Sequence, residues 1–162
     1  MRRQIDSNEA PRAKPSAAVA LLATLFVVAL VCAAITSTAL ARTITLNESG
    51  SLHRTSHHGI TINEVGNATG TITGTIYIHL SVSSTNRVKA EINIYPHNGS
   101  ITGYANASYR TQGGTASFSG TMSINRGTGT YNHAHGTGLK FSGTINRSND
   151  AVKVRLSGPM AV

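Results

Sequence analysis

The feature that most constrains this chain is a strict period of two in its apolar residues. In the run Thr71–Val82, Ile72, Ile76, Ile78, Leu80 and Val82 share one parity with Gly74, while Thr71, Thr73, Thr75, Tyr77, His79 and Ser81 take the other. The alternation recurs in Val88/Ala90/Ile92/Ile94, in Ile101/Gly103/Ala105/Ala107/Tyr109 and in Ala116/Phe118/Gly120/Met122/Ile124. It continues in Leu139/Phe141/Gly143/Ile145 and Val152/Val154/Leu156, and is already present in Ile44/Leu46 and Ile60/Ile62. Successive side chains of a strand point to opposite faces, so the pattern predicts antiparallel strands with one buried and one wet face. Turn-forming groups separate the runs: Gly66-Asn67, Ser84-Thr85-Asn86, Pro96-His97-Asn98-Gly99, Gln112-Gly113-Gly114 and Asn149-Asp150. Beyond residue 41 no stretch has a helical period.

Glycine placement narrows the fold. Gly74, Gly103, Gly120 and Gly143 fall mid-run on the apolar parity. Glycine weakens a strand unless a bend or a close approach requires it. Four such positions predict strongly coiled strands, as in a small closed barrel; a two-sheet sandwich has less need of them. The expectation is an all-β fold: a single small antiparallel β-barrel of about eight strands over residues 42–162.

Residues 1–41 read as a separate leader. Arg2, Arg3, Arg12 and Lys14 make a basic start, diluted by Asp6 and Glu9. Residues 17–35 carry no charge and only one polar side chain, Thr24. A short polar stretch then ends in Ala39-Leu40-Ala41. Basic, apolar, then Ala-x-Ala is the order of a secretory signal peptide, which predicts cleavage after Ala41. The apolar run is also long enough to span a bilayer, so the rival reading is an uncleaved anchor formed by residues 17–35. Both readings place residues 42–162 outside the cytoplasmic membrane, and any membrane contact in the N-terminal segment alone.

Composition excludes several chemistries. The single cysteine, Cys32, lies in the leader, which leaves the rest without a disulfide or a thiol nucleophile. The acids beyond residue 41 are Glu48, Glu64, Glu91 and Asp150, too few for a carboxylate-rich metal site. Basic residues exceed them, and Arg87, Lys89, Arg110, Lys140, Lys153 and Arg155 fall on polar parities. Such a surface suits solubility or contact with an anionic cell-surface polymer. Tyrosines are scattered and tryptophan is absent, so no nucleic-acid partner is expected.

One segment breaks the alternation: Gly127-Thr128-Gly129-Thr130-Tyr131-Asn132-His133-Ala134-His135-Gly136-Thr137-Gly138, between strands expected to end near Asn125 and to start near Leu139. Its pattern Gly-Thr-Gly-x-Tyr-x-x-Ala-x-Gly resembles the allene oxide cyclase and dirigent-like barrels, eight-stranded antiparallel barrels of the calycin type. The resemblance covers about ten residues and implies that Tyr131 and Ala134 pack on the barrel while Gly136 takes a positive φ. The chain is also similar to secreted bacterial proteins of unknown role. Dirigent proteins use acidic and basic residues inside the barrel for quinone-methide chemistry, and no acid of this chain maps onto a family catalytic position.

Candidate chemistry is sparse. His133 and His135 have a spacing that would suit a metal on a strand, but they lie in the irregular connection, where solvated side chains are expected. His53, His57 and His58 cluster in what reads as a turn-rich stretch, and His79 reads as an exposed strand residue. Thr71-x-Thr73-x-Thr75 would make a short threonine ladder of the kind found on ice-binding or carbohydrate-contacting sheets, although Thr is also an ordinary exposed strand residue. Glu91 shares its face with Arg87 and Lys89, which predicts a surface ion pair. No Gly-x-Ser-x-Gly marks a nucleophile. If the cavity-facing parity is apolar, a barrel can hold a small apolar ligand but cannot move protons. Two positions stand against that: Glu64, on the parity of Ile60 and Ile62, and Tyr109, on that of Ile101. The expected function is therefore a non-enzymatic exported binding or surface module without a cofactor. A cyclase- or dirigent-like enzyme is the alternative, to be separated by whether an acid points into the barrel beside an Arg or His.

Overall fold

The alternation becomes eight strands in the computed structural model, which describes residues 42–162. They are β1 (Thr43–His58), β2 (Thr61–Gly70), β3 (Gly74–Ser84), β4 (Arg87–Pro96), β5 (Gly99–Gln112), β6 (Thr115–Gly129), β7 (Gly136–Asn146) and β8 (Ala151–Ala161). Each pairs antiparallel with the next, and β8 returns to β1 from Thr43↔Ala161 to His53↔Ala151, closing a barrel in sequence order. Closure leaves no unpaired sheet edge. The expected leader, with the cleavage site expected at Ala39–Ala41, lies outside the described residues.

The inward face is the apolar parity. Leu46, Ile76, Ile92, Ile101, Leu139 and Phe141 are among its fully buried side chains, and Phe118 stacks against Phe141 with ring centroids 5.0 Å apart. The outward face is mainly Thr, Ser, Asn, Lys and Arg with a few exposed tyrosines, unlike a membrane-spanning barrel, whose outer band is apolar. Burying the apolar face inside a closed wall is the dominant favourable term in such a fold.

Several local expectations need correction. Gly66-Asn67 is no turn: both residues pair within β2, opposite Leu52 and Ser51 of β1. The β1–β2 reversal is at Gly59-Ile60, where Gly59 has φ 58°. His53, His57 and His58 therefore lie on β1 itself. β3 begins at Gly74, so Thr71 and Thr73 precede it and form no ladder with Thr75. Gly74 is accordingly a strand end, whereas Gly103, Gly120 and Gly143 are mid-strand. A methyl group on Gly120 would overlap the Asn106 carbonyl oxygen, and one on Gly143 would overlap Phe118 and the Lys153 carbonyl oxygen. Those glycines let neighbouring strands and core rings approach closely.

The segment that breaks the alternation is shorter than the sequence suggests. Gly127–Gly129 complete β6 and Gly136–Gly138 open β7, leaving residues 130–135 as the connection. Ala134 is buried and Tyr131 packs partly buried against the core. The positive φ falls on Gly129 (60°) and Gly138 (70°), not on Gly136. The connection folds back through Tyr131 N–H to Thr128 O and Ala134 N–H to Tyr131 O, so glycines are needed at its flanks rather than at its exit.

Candidate functional site at the open end of the barrel

The two ends of the barrel differ. One end is closed. Ile72 from the β2–β3 turn, Ala134 from the β6–β7 connection and Met160 from β8 are all buried there. Glu48 of β1 points inward at this end with only 3 % of its surface exposed. Its Oε1 accepts the Ile72 backbone N–H at 2.6 Å. Burial raises its pKa, while hydrogen bonds from the Ile72 and Thr71 backbone oppose the rise. The role of this acid is structural, because it satisfies a turn donor that would otherwise be buried without a partner.

The other end is open. The turns at residues 59–60, 85–86, 113–114 and 147–150 surround a cavity of about 460 Å³. Ile62, Leu80, Val82, Val88, Phe118 and Ile145 form its apolar wall. Arg54, Tyr109, Thr111, Arg147 and Asp150 bring polar groups to it. The strand ends place them there: β1, β3, β5 and β7 finish at this rim and β2, β4, β6 and β8 begin from it.

Arg54 and Asp150 form an ion pair at 2.7 Å, with each side chain more than a third exposed. Asp150 ends the β7–β8 turn with φ 55°, a left-handed conformation that aspartate tolerates better than most residues. Directly opposite Arg54 across the β1–β2 ladder stands Glu64. It is 3 % exposed, and its Oε2 has no hydrogen-bond partner. Burial, with a smaller contribution from the negative Asp150, pushes the Glu64 pKa up to about 7. Glu64 is the next inward residue of β2 after Ile62, about 7 Å further down the strand than that cavity-lining side chain.

The cavity-facing parity is thus not purely apolar. It carries Glu48, Arg54, Glu64 and Tyr109, and both positions singled out in the sequence, Glu64 and Tyr109, lie on the inside. Arg54 was not among the sequence candidates, although it continues the parity of Leu46 and Leu52. What joins Arg54 to Asp150, nearly a hundred residues away, is the closure of β8 on β1. Glu91 makes no ion pair with Arg87 or Lys89; it accepts a hydrogen bond from Asn93 Nδ2 at 3.2 Å. His133 and His135 are exposed in the β6–β7 connection, where His135 Nδ1 meets the His133 carbonyl oxygen at 2.8 Å. No three metal-ligating groups converge among the described residues.

These features define a class: an up-and-down eight-stranded barrel closed at one end, with a partly polar cavity at the other. Comparison with protein-family models, curated proteins and solved structures finds no match.

Proposed function

We propose that the protein is an exported binding module that holds a small, mainly apolar molecule in the open end of the barrel. The observation that carries this is the cavity: an aliphatic and aromatic wall rimmed by Arg147, Tyr109, Thr111 and the Arg54–Asp150 ion pair. A ligand with an apolar body and one polar or anionic head complements that arrangement. Export rests on the leader. With Glu48 and Glu64 turned inside, the outer wall is more basic than composition implies, which supports contact with an anionic cell-surface polymer as a subsidiary role.

Glu64 favours a second reading, a cyclase- or dirigent-like barrel that steers a reactive small molecule. An inward acid that titrates near neutrality is suited to giving or taking a proton. The short resemblance at Gly127–Gly138 supports the same reading.

The binding step is tested with anilinonaphthalene sulfonate, an apolar fluorophore with an anionic head. One molecule per chain is expected to bind. Val82→Trp, which fills the mouth, is expected to weaken binding at least tenfold, and Arg54→Ala to weaken it to a smaller degree. Binding that ignores Val82→Trp refutes the cavity as the site. Glu64→Gln separates the readings, since it spares a binding module and silences a proton-transfer enzyme.

A further inference from the structure

Three of the exposed large side chains lie on one patch of the outer wall, away from the barrel mouth. Tyr77 on β3, Tyr95 on β4 and Tyr104 on β5 are 42 %, 49 % and 49 % exposed. Tyr77 and Tyr95 meet edge to face with centroids 5.6 Å apart. The ladders arrange the surrounding polar groups in rows. Tyr77 stands opposite Asn93, Asn93 opposite Thr102, and Thr102 opposite Arg126. In the next row Glu91 stands opposite Tyr104. Between Tyr95 and Tyr104 lies a groove of about 290 Å³, with Glu91, Asn93, Thr102 and Arg126 along it.

The polar groups of this groove are held in place. Asn93 is outward by strand parity yet only 9 % exposed. Its Oδ1 accepts from the Thr102 hydroxyl at 2.7 Å, and its Nδ2 donates to Glu91 Oε1. A fixed amide, hydroxyl and carboxylate between two aromatic rings is a preorganised recognition surface, because little side-chain freedom remains to be lost on binding.

We infer that this groove is a carbohydrate-binding site for a glycan strand, separate from the barrel cavity. A pyranose ring has an apolar C–H face and a rim of hydroxyls. Tyrosine offers the matching apolar ring with a wet end. The Glu91–Asn93–Thr102 network and Arg126 offer donors and acceptors for the hydroxyls. Tyr95 lies four residues beyond Glu91 on β4, so Tyr95 and Tyr104 are offset by about 13 Å along the strands. That offset fits several linked sugars rather than one. A protein partner fits less well: its contact core calls for contiguous apolar area, and here one edge-to-face pair, Tyr77 and Tyr95, and the separate Tyr104 lie among hydroxyls and amides.

The test uses the full 162-residue chain, recovered in whichever form the expressing cell leaves it, and three neutral probes: cellohexaose, chitohexaose and mannohexaose. Titration calorimetry is run beside tyrosine fluorescence, which is readable because the chain has no tryptophan. At least one hexamer is expected to bind, at least tenfold more tightly than its own dimer. Tyr95→Ala and Tyr104→Ala are each expected to weaken it tenfold or more with an unchanged far-ultraviolet spectrum. Val82→Trp at the barrel mouth, followed by calorimetry alone because it introduces a tryptophan, is expected to leave binding unchanged, which separates this site from the cavity. The inference is overturned if no hexamer binds at millimolar concentration, or if binding survives both tyrosine variants. It is equally overturned if light scattering shows a dimer that Tyr95→Ala dissolves, since a second copy then covers this face.

Discussion

Arg54 and Glu64 occupy directly opposed positions on β1 and β2, yet the Arg54 guanidinium is paired with Asp150, and Glu64 Oε2 is buried without a hydrogen-bond partner. An acid in that position is more easily kept neutral than charged.

The first prediction follows from this placement. Glu64 holds its proton up to about pH 7 in the fold, against an ordinary value of 4.5. Below pH 4.5 both folded and unfolded chains are protonated here, and Glu64 exerts no pH effect. Between the two values the unfolded chain has lost the proton and the fold has kept it, so stability falls as pH rises. Above about pH 7 the cost is complete, on the order of 3 kcal/mol. Denaturant unfolding from about pH 4 to about pH 8 should show this decline in the wild type and lose most of it in Glu64→Gln. Equal slopes in the two proteins would refute the assignment.

Glu48 Oε2 is likewise buried without a partner, but its Oε1 accepts the Ile72 N–H. Glu48→Gln keeps an oxygen for the Ile72 N–H and should change stability little at neutral pH. Glu48→Ala leaves that buried donor unpaired and opens space at the closed end, for a loss of about 1–3 kcal/mol. Urea melts of the two variants provide the comparison, and indistinguishable midpoints would mean that the hydrogen bond carries no weight.

Gly120→Ala adds one methyl where the Asn106 carbonyl oxygen of β5 already stands. The ladder between β5 and β6 must shift, and a loss of about 1–3 kcal/mol is expected. Gly113→Ala is a useful contrast. It meets no steric obstruction, but φ 55° strains any side chain there. A thermal melt should show Gly120→Ala to be the more damaging; the reverse order would mean that close strand approach is unimportant.

Export, as proposed, predicts a mature protein that begins at Arg42. N-terminal sequencing of the extracytoplasmic material checks this. Recovery of only the Met1 form, in membranes, would favour the anchor formed by residues 17–35.

The sequence by itself determined the fold class and most strand positions, because a period of two leaves an antiparallel wall as the way to bury Ile76, Ile92, Leu139 and Phe141 together. It also marked Glu64 and Tyr109 as inward candidates, since parity is a local property. It misplaced the turn at Gly66-Asn67, because small polar residues inside a long, coiled strand look like a reversal. It put the positive φ on Gly136, because a motif records spacing and not which flank bends. Only the tertiary structure decided the rest. Closure of β8 on β1 brings Asp150 to Arg54, and registry sets Arg54 against Glu64. The same wall gathers Tyr77, Tyr95 and Tyr104 from three strands onto one patch. Strand pattern states which face a side chain takes, whereas the neighbour it meets depends on pairing and register with other strands.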